Sequence, residues 1–135
     1  MSITRLKRRG EFLRVAAGRR KWAAPGLVLQ VMRRPDGVAA AEIEGAPRVG
    51  FTVSRKVGGA VERNRVRRRL RSAVERVFED HAQPGIDYVV IGRRQALGRA
   101  FPDLVADLEK AMRRLGAFGE TDRDPARASP KDAAP

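Results

Sequence analysis

Between Arg63 and Arg71 the sequence RNRVRRRLR holds six arginines and no acid, yet it also opens an apolar series at helical spacing: Val66, Leu70, Ala73, Val74 and Val77. At about 100° per residue these side chains fill one stripe of a helix predicted over Ala60 to Phe78. Asn64, Arg67, Arg68 and Arg71 fall on one flank of that stripe, and Arg65, Arg69 and Arg76 on the other. One face must bury and the remainder is basic, so the helix has to lie across an apolar layer at the surface of the domain.

The neighbouring segments supply that layer. Arg48 to Ser54 alternates, with Val49, Phe51 and Val53 on one side and Gly50, Thr52 and Ser54 on the other, which predicts a strand. Leu27 to Arg33 alternates in the same way, and Pro35-Asp36-Gly37 then supplies turn chemistry. Asp87 to Gly92 (DYVVIG) reads as a buried strand after Pro84-Gly85. Arg9 to Ala17 suits a short helix closed by Gly18. Phe101, Leu104, Val105, Leu108, Met112 and Leu115 define a last amphipathic helix, with Pro102 in its first turn and Gly116 at its end. Helix, two or three strands, basic helix, strand, helix is the order of a small α+β sandwich with helices on a sheet. A chain of 135 residues supports one such domain, assigned to residues 1–117. Residues 118–135 have almost no large apolar side chain to offset ordering entropy and are expected to be a disordered tail.

Charge is as uneven as the pattern. Ser54 to Arg71 holds eight basic residues and one acid, and Met1 to Trp22 the same, so each carries +7 and the rest of the chain sums to −1, for a net charge of +13. Localised positive charge points to a polyanion, nucleic acid by default. Cysteine is absent, which fits a reducing compartment. The apolar run Leu27 to Met32 is broken by Gln30 and is too short for a membrane span or a signal segment. A cytoplasmic protein with no membrane association is therefore expected. The Arg-rich first 22 residues also resemble an organellar transit peptide in charge, although not in serine content.

Catalytic chemistry is hard to find in these residues. Phosphodiester hydrolysis by protein groups draws on clustered carboxylates with metals, or on histidines. His81 is the only histidine and sits in a polar connection, where a solvated role is expected. Glu75, Glu79 and Asp80 read as intrahelical partners of Arg71 and Arg76. Gly58-Gly59 before a helix suggests an anion-binding turn, without the lysine of a nucleotide-binding loop, and leaves room for an RNA phosphate at the helix N-terminus. Phe12 and Trp22, each beside basic residues, are candidates for stacking on unpaired bases or for the core.

Arg63-Asn64-Arg65 within RVGFTVSRKVGGAVERNRVRRRLR resembles the signature of the bacterial ribonuclease P protein subunit. The resemblance extends to LKRRGEFLRV, GLVLQV, DYVVIGRR and the final helix, about residues 5–115. It implies a four-stranded sheet packed by helices, with the basic helix in a left-handed crossover between parallel strands, as in ribosomal protein S5 domain 2. Such crossovers are otherwise right-handed in about 98% of cases. It also implies a protein without catalytic residues that joins a large catalytic RNA, which with Mg²⁺ removes the 5′ leader of precursor tRNA. Ser54, Arg55, Lys56, Arg63, Asn64, Arg65 and Arg68 match positions that meet the catalytic RNA. Phe12, Asn64, Arg67 and Arg71 match positions that hold the leader. Ala16 and Gln30 stand where the family often has aromatics, and Gly59 where it often has asparagine. Trp22, after what reads as an extra residue in RRKW, is the candidate to replace the missing aromatic surface. No protein partner is implied.

Two other readings suit the same residues. A general RNA-binding or ribosome-associated protein would be equally small and basic. A protein-only nuclease would cleave RNA without an RNA subunit. Double-stranded DNA binding fits less well, since the basic helix begins in a glycine turn and carries no dimerisation heptad.

Overall fold

The computed structural model describes residues 4–34 and 46–119. In chain order the elements are β1 (Thr4–Arg5), α1 (Arg9–Ala17), β2 (Lys21–Ala23), β3 (Leu27–Arg33), β4 (Arg48–Thr52), α2 (Ala60–His81), β5 (Ile86–Gly92) and α3 (Phe101–Arg114). Single 3-10 turns occupy Arg55–Val57 and Arg94–Leu97. The strands form one mixed sheet in the order β1-β4-β5-β3-β2. β4 and β5 are parallel neighbours joined through α2, while β3 runs antiparallel to β5. Five strands replace the four implied by the resemblance, because the two-residue β1 adds itself to the outer edge of β4. A segment that short shows no alternation, so the sequence carries no sign of it.

The period of two in each strand sorts its side chains between two layers. Leu27, Leu29 and Val31 of β3, Val49 of β4 and Tyr88 and Val90 of β5 join Val66, Leu70, Ala73, Val74 and Val77 of α2 and Leu104, Leu108 and Met112 of α3 in the main core. Burial of each large aliphatic there contributes about 1.5–3 kcal/mol. On the other face of the sheet Leu6, Val15 and Val89 form a smaller cluster, with Phe12, Met32 and Ile91 packed against it. α1 thus covers one face, and α2 with α3 the other.

α1 buries only Val15 completely, too little for a nine-residue helix to hold its place by apolar contact alone. Polar groups complete the attachment. Asp87 of β5 is fully buried; Arg34 Nη1 (2.7 Å) and Arg48 Nε (2.8 Å) donate to its Oδ1. Arg48 Nη2 (2.7 Å) and Arg14 Nη2 of α1 (2.8 Å) donate to its Oδ2. Arg48 Nη1 also donates to Glu11 Oε2 at 3.0 Å, while Glu11 Oε1 caps α1 by accepting from the backbone N–H groups of Lys7 and Arg8. Burial opposes ionisation of Asp87, but the hydrogen bonds from Arg48 and Arg34 outweigh it and hold the carboxyl below its ordinary value.

Several local expectations change in detail. α2 continues to His81, three residues past the predicted end. His81 is buried, not solvated: its ring stacks on Phe118 with centroids 4.1 Å apart, and its Nδ1 bonds the Gly119 carbonyl at 2.8 Å. Gly18 after α1 is right-handed, and Arg19 (φ 62°) takes the left-handed position instead. Gly116 (φ 69°) follows the end of α3 as predicted. Tyr88, whose hydroxyl is pushed up to about 12 by burial, accepts from Gln83 N–H and donates to the Ala117 carbonyl. The predicted turn at Pro35-Asp36-Gly37 lies outside the described residues, as does the tail apart from Phe118 and Gly119, which dock at the end of α2.

Candidate nucleic-acid interface

The α2 helix begins in a turn that only glycine makes easily, since Gly58 has φ 151°. Behind it, Glu62 Oε1 accepts the Gly59 N–H at 2.9 Å and caps the helix. One of the N–H groups at this end is thus satisfied by the chain's own carboxylate, which also places a negative charge beside any RNA phosphate that approaches the N-terminus of α2. The signal was legible, since a glutamate three residues after the cap position is the mark of a capping box.

Past the cap, the apolar stripe is buried and the arginines divide by what they touch. Arg63 Nη1 folds back onto the Gly58 carbonyl at 2.9 Å, and Arg67 Nη1 reaches Asn64 Oδ1 at 3.2 Å. Arg69 donates to the Arg99 carbonyl ahead of α3. Arg65, Arg68 and Arg71 are exposed and pair with no acid among the described residues. Among the described residues Glu75 and Glu79 form no ion pair with Arg71 or Arg76, so for these two acids the expected intrahelical pairing is not seen. Cations left without counter-charges on a rigid helix are ready to meet phosphate, and neutralising each phosphate releases counterions.

Ser54, Arg55 and Lys56 stand directly in front of the helix. Ser54 Oγ accepts the Lys56 N–H at 3.3 Å and so caps the 3-10 turn, and Arg94 Nη1 fixes the far end of that turn through the Val57 carbonyl at 2.8 Å. Arg55 and Lys56 are left exposed on a braced loop directly ahead of the helix whose first turns carry Arg65 and Arg68. The structure therefore gathers seven predicted residues, Ser54, Arg55, Lys56, Arg63, Asn64, Arg65 and Arg68, at one end of α2.

The second predicted group is dispersed. Phe12 is half-buried on the α1 face, where its ring fills the notch left by Gly50: a Cβ there would meet Phe12 Cε2 at 2.4 Å. Asn64, Arg67 and Arg71 belong to a helix on the opposite face, on the flank turned away from the Arg69–Arg99 contact and hence from α3. What lies between them is the outer edge of β4. β1 pairs only with Arg48 and Val49, which leaves Gly50 to Thr52 without a strand neighbour on that side among the described residues. Phe51, on the same face of β4 as Val49, is half-buried there with the Arg5 guanidinium 5.3 Å from its ring centre. Trp22 does not join either group. It pairs in register with Leu29, so it faces α3, where it is half-buried with Arg114 5.1 Å from its ring centre. Phe12 and Trp22 thus lie on opposite faces of the sheet and form no common stacking surface.

Among the described residues no three histidine, cysteine, aspartate or glutamate side chains converge as a metal site. The deepest carboxylate, Asp87, already accepts from three arginines and has no lone pair directed at an ion. The carboxylates among the described residues thus offer no ligand set for a resident Mg²⁺. Nor, among the described residues, is any helix long and apolar enough to cross a membrane.

A small mixed-sheet α+β domain with an unpaired cationic helix end and a half-buried aromatic on the opposite face belongs to the class of RNA-binding domains. Comparison with known proteins narrows this. The ribonuclease P family profile matches residues 2–116, and the chain belongs to that family. The ribonuclease P protein component of Paramagnetospirillum magneticum is 55% identical over 119 residues, covering 88% of this chain and 87% of that protein. That of Gluconacetobacter diazotrophicus is 50% identical, covering 85% and 93%. Among solved structures, the Staphylococcus aureus RNase P protein superposes with a TM-score of 0.67 at 26% identity, covering 85% of this chain and 97% of that one. The Thermotoga maritima RNase P protein shares the fold, with a TM-score of 0.61 at 24% identity over 77% of this chain and 90% of its own.

Proposed function

We propose that this chain is the protein subunit of ribonuclease P, which binds the catalytic RNA and the 5′ leader of precursor tRNA and assists Mg²⁺-dependent removal of the leader. The observation that carries this reading is the cluster of exposed cations without acid partners, Arg55, Lys56, Arg65 and Arg68, at the capped end of α2 in a chain of that family. With Ser54, Arg63 and Asn64 they hold the catalytic RNA. Phe12, Asn64, Arg67 and Arg71 hold the leader, which passes around the unpaired edge of β4 between the two faces. Trp22 takes no part in that track.

The protein's contribution is electrostatic and positional. It lowers the repulsion between two polyanions and fixes the leader, so it raises substrate affinity without supplying a catalytic group. Mg²⁺ is held mainly by the RNA, and the bond is cleaved there. The left-handed sense of the β4-α2-β5 crossover and the likeness to ribosomal protein S5 domain 2 go with this reading, as do a cytoplasmic location and independence from protein partners.

The test is cleavage of precursor tRNA at low Mg²⁺ by the protein alone, by a bacterial catalytic RNA alone, and by both together. Correct 5′ maturation only in the mixture is expected. Activity of RNA-free protein, or no stimulation of an RNA shown to be active at high Mg²⁺, would overturn the proposal. Log affinity should also fall with log salt by about 0.7–0.9 per phosphate contact, and Arg65→Ala should lower that slope by about one contact.

A further inference from the structure

The leader reading rests on Phe12, and Phe12 sits on a helix that apolar packing alone does not fix. The two residues that tie α1 to the sheet bracket it in sequence: Glu11 accepts from Arg48 Nη1 at 3.0 Å, and Arg14 donates to Asp87 at 2.8 Å. Arg48 and Asp87 are themselves cross-strand partners in β4 and β5. The next inward-facing row along the same strands is Gly50 and Val89, the row on which Phe12 is seated. One polar frame, anchored in adjacent strands, thus sets the distance and rotation of α1 one pleat away from the aromatic.

Stability alone does not explain this choice of residues. Desolvating three guanidinium groups and two carboxylates opposes folding, and well-packed apolar side chains of similar volume often serve as well or better. A buried ion set differs in being directional: Arg34 and Arg48 fix the Asp87 carboxylate within the sheet, and the two links that reach α1, Arg14 to Asp87 at 2.8 Å and Arg48 to Glu11 at 3.0 Å, break on a small slide or roll of the helix. Apolar contacts would tolerate the same slide. Leu13, 54% exposed on the outer side of α1, underlines how little of the helix is held by burial.

We infer that Asp87, Arg48, Glu11 and Arg14 form a positioning frame that holds the Phe12 ring in register for a base of the single-stranded leader. None of the four need touch RNA for this. The frame converts the geometry of the β4–β5 pair into the position of a stacking surface.

The experiment uses the holoenzyme assembled from the full chain and a bacterial catalytic RNA, and compares affinity for precursor tRNAs with a one-nucleotide and with a longer leader. Asp87→Asn risks misfolding, so the principal variants are Arg14→Met and Glu11→Gln, with Arg14→Lys as the conservative control. Arg14→Met should lose most of the affinity gained on lengthening the leader, about tenfold, in the range of one base–aromatic stack. KM should rise while kcat at saturating substrate and affinity for the catalytic RNA stay at wild-type values, and Arg14→Lys should recover part of the gain. A purely structural role would instead lower the amount of folded protein and spare the leader-dependent ratio. If Arg14→Met and Glu11→Gln keep that ratio while Phe12→Ala loses it, the frame is refuted and the leader reading stands. If wild-type protein gains nothing from the longer leader, both fall.

Discussion

Gly50→Ala tests whether Phe12 is seated where the structure places it. Gly50 lies outside the left-handed region, so its backbone does not require glycine. What excludes a larger residue is space: an added Cβ would lie 2.4 Å and 2.5 Å from Phe12 Cε2 and Cζ, and 3.1 Å from Leu6 Cδ1. Carbon atoms rest at about 3.5–4.0 Å, so the ring has to retreat by about 1 Å. It cannot do so freely, because α1 is pinned on both sides of it. Overpacking of this kind costs about 1–3 kcal/mol. Alanine offsets part of this by about 0.5–1 kcal/mol through its lower unfolded-state entropy. A net loss of about 1–2 kcal/mol is expected, read as a lower urea midpoint at unchanged m-value. The decisive arm is a double-mutant cycle with Phe12→Ala: with the ring removed, Gly50→Ala should become neutral or stabilising. Equal destabilisation in both backgrounds would mean that Phe12 does not occupy the notch, and the argument built on it would fail.

Glu62→Gln keeps an acceptor for the Gly59 N–H but removes a negative charge from the candidate RNA surface. RNA affinity at low salt should rise about twofold, the effect of one charge at about 8 Å in water, and unchanged affinity would place the RNA away from this end of α2. Acid should unfold the free protein in a particular window. The Asp87 and Glu11 carboxyls are both held below their ordinary values, in each case because hydrogen bonds outweigh burial. Their contribution is therefore complete above about pH 4–5 and is lost as pH falls through the lowered folded-state values. Urea midpoints should drop between about pH 5 and 3, less steeply in Glu11→Gln; equal slopes would remove Glu11 from the linkage. Leu70→Ala, at a site with no exposure beneath the arginine row, should destabilise the domain by about 2–5 kcal/mol in the same assay, and a loss below about 1 kcal/mol would contradict the placement of α2 on the sheet.

Much of this protein is written locally. The stripe from Val66 to Val77 makes α2 whatever lies beneath it, because its period is a property of consecutive residues. The alternations at Leu27–Arg33 and Arg48–Thr52 make strands in the same way, and the unbalanced arginines of α2 mark a polyanion partner through charge alone. The family signature in RNRVRRRLR is likewise a matter of consecutive residues. What only the tertiary structure decided depends on register between distant segments. Asp87 reads as the start of an apolar strand, and its partners Arg14, Arg34 and Arg48 stand 73, 53 and 39 residues away, so no local pattern joins them. Phe12 and Trp22 have the same local character, yet Trp22 faces α3 because it pairs with Leu29, and a shift of one residue would have turned it to the other face. Periodicity decides that a side chain is buried or exposed; the strand order and pairing decide beside which other side chain, and the candidate site depends on that second choice.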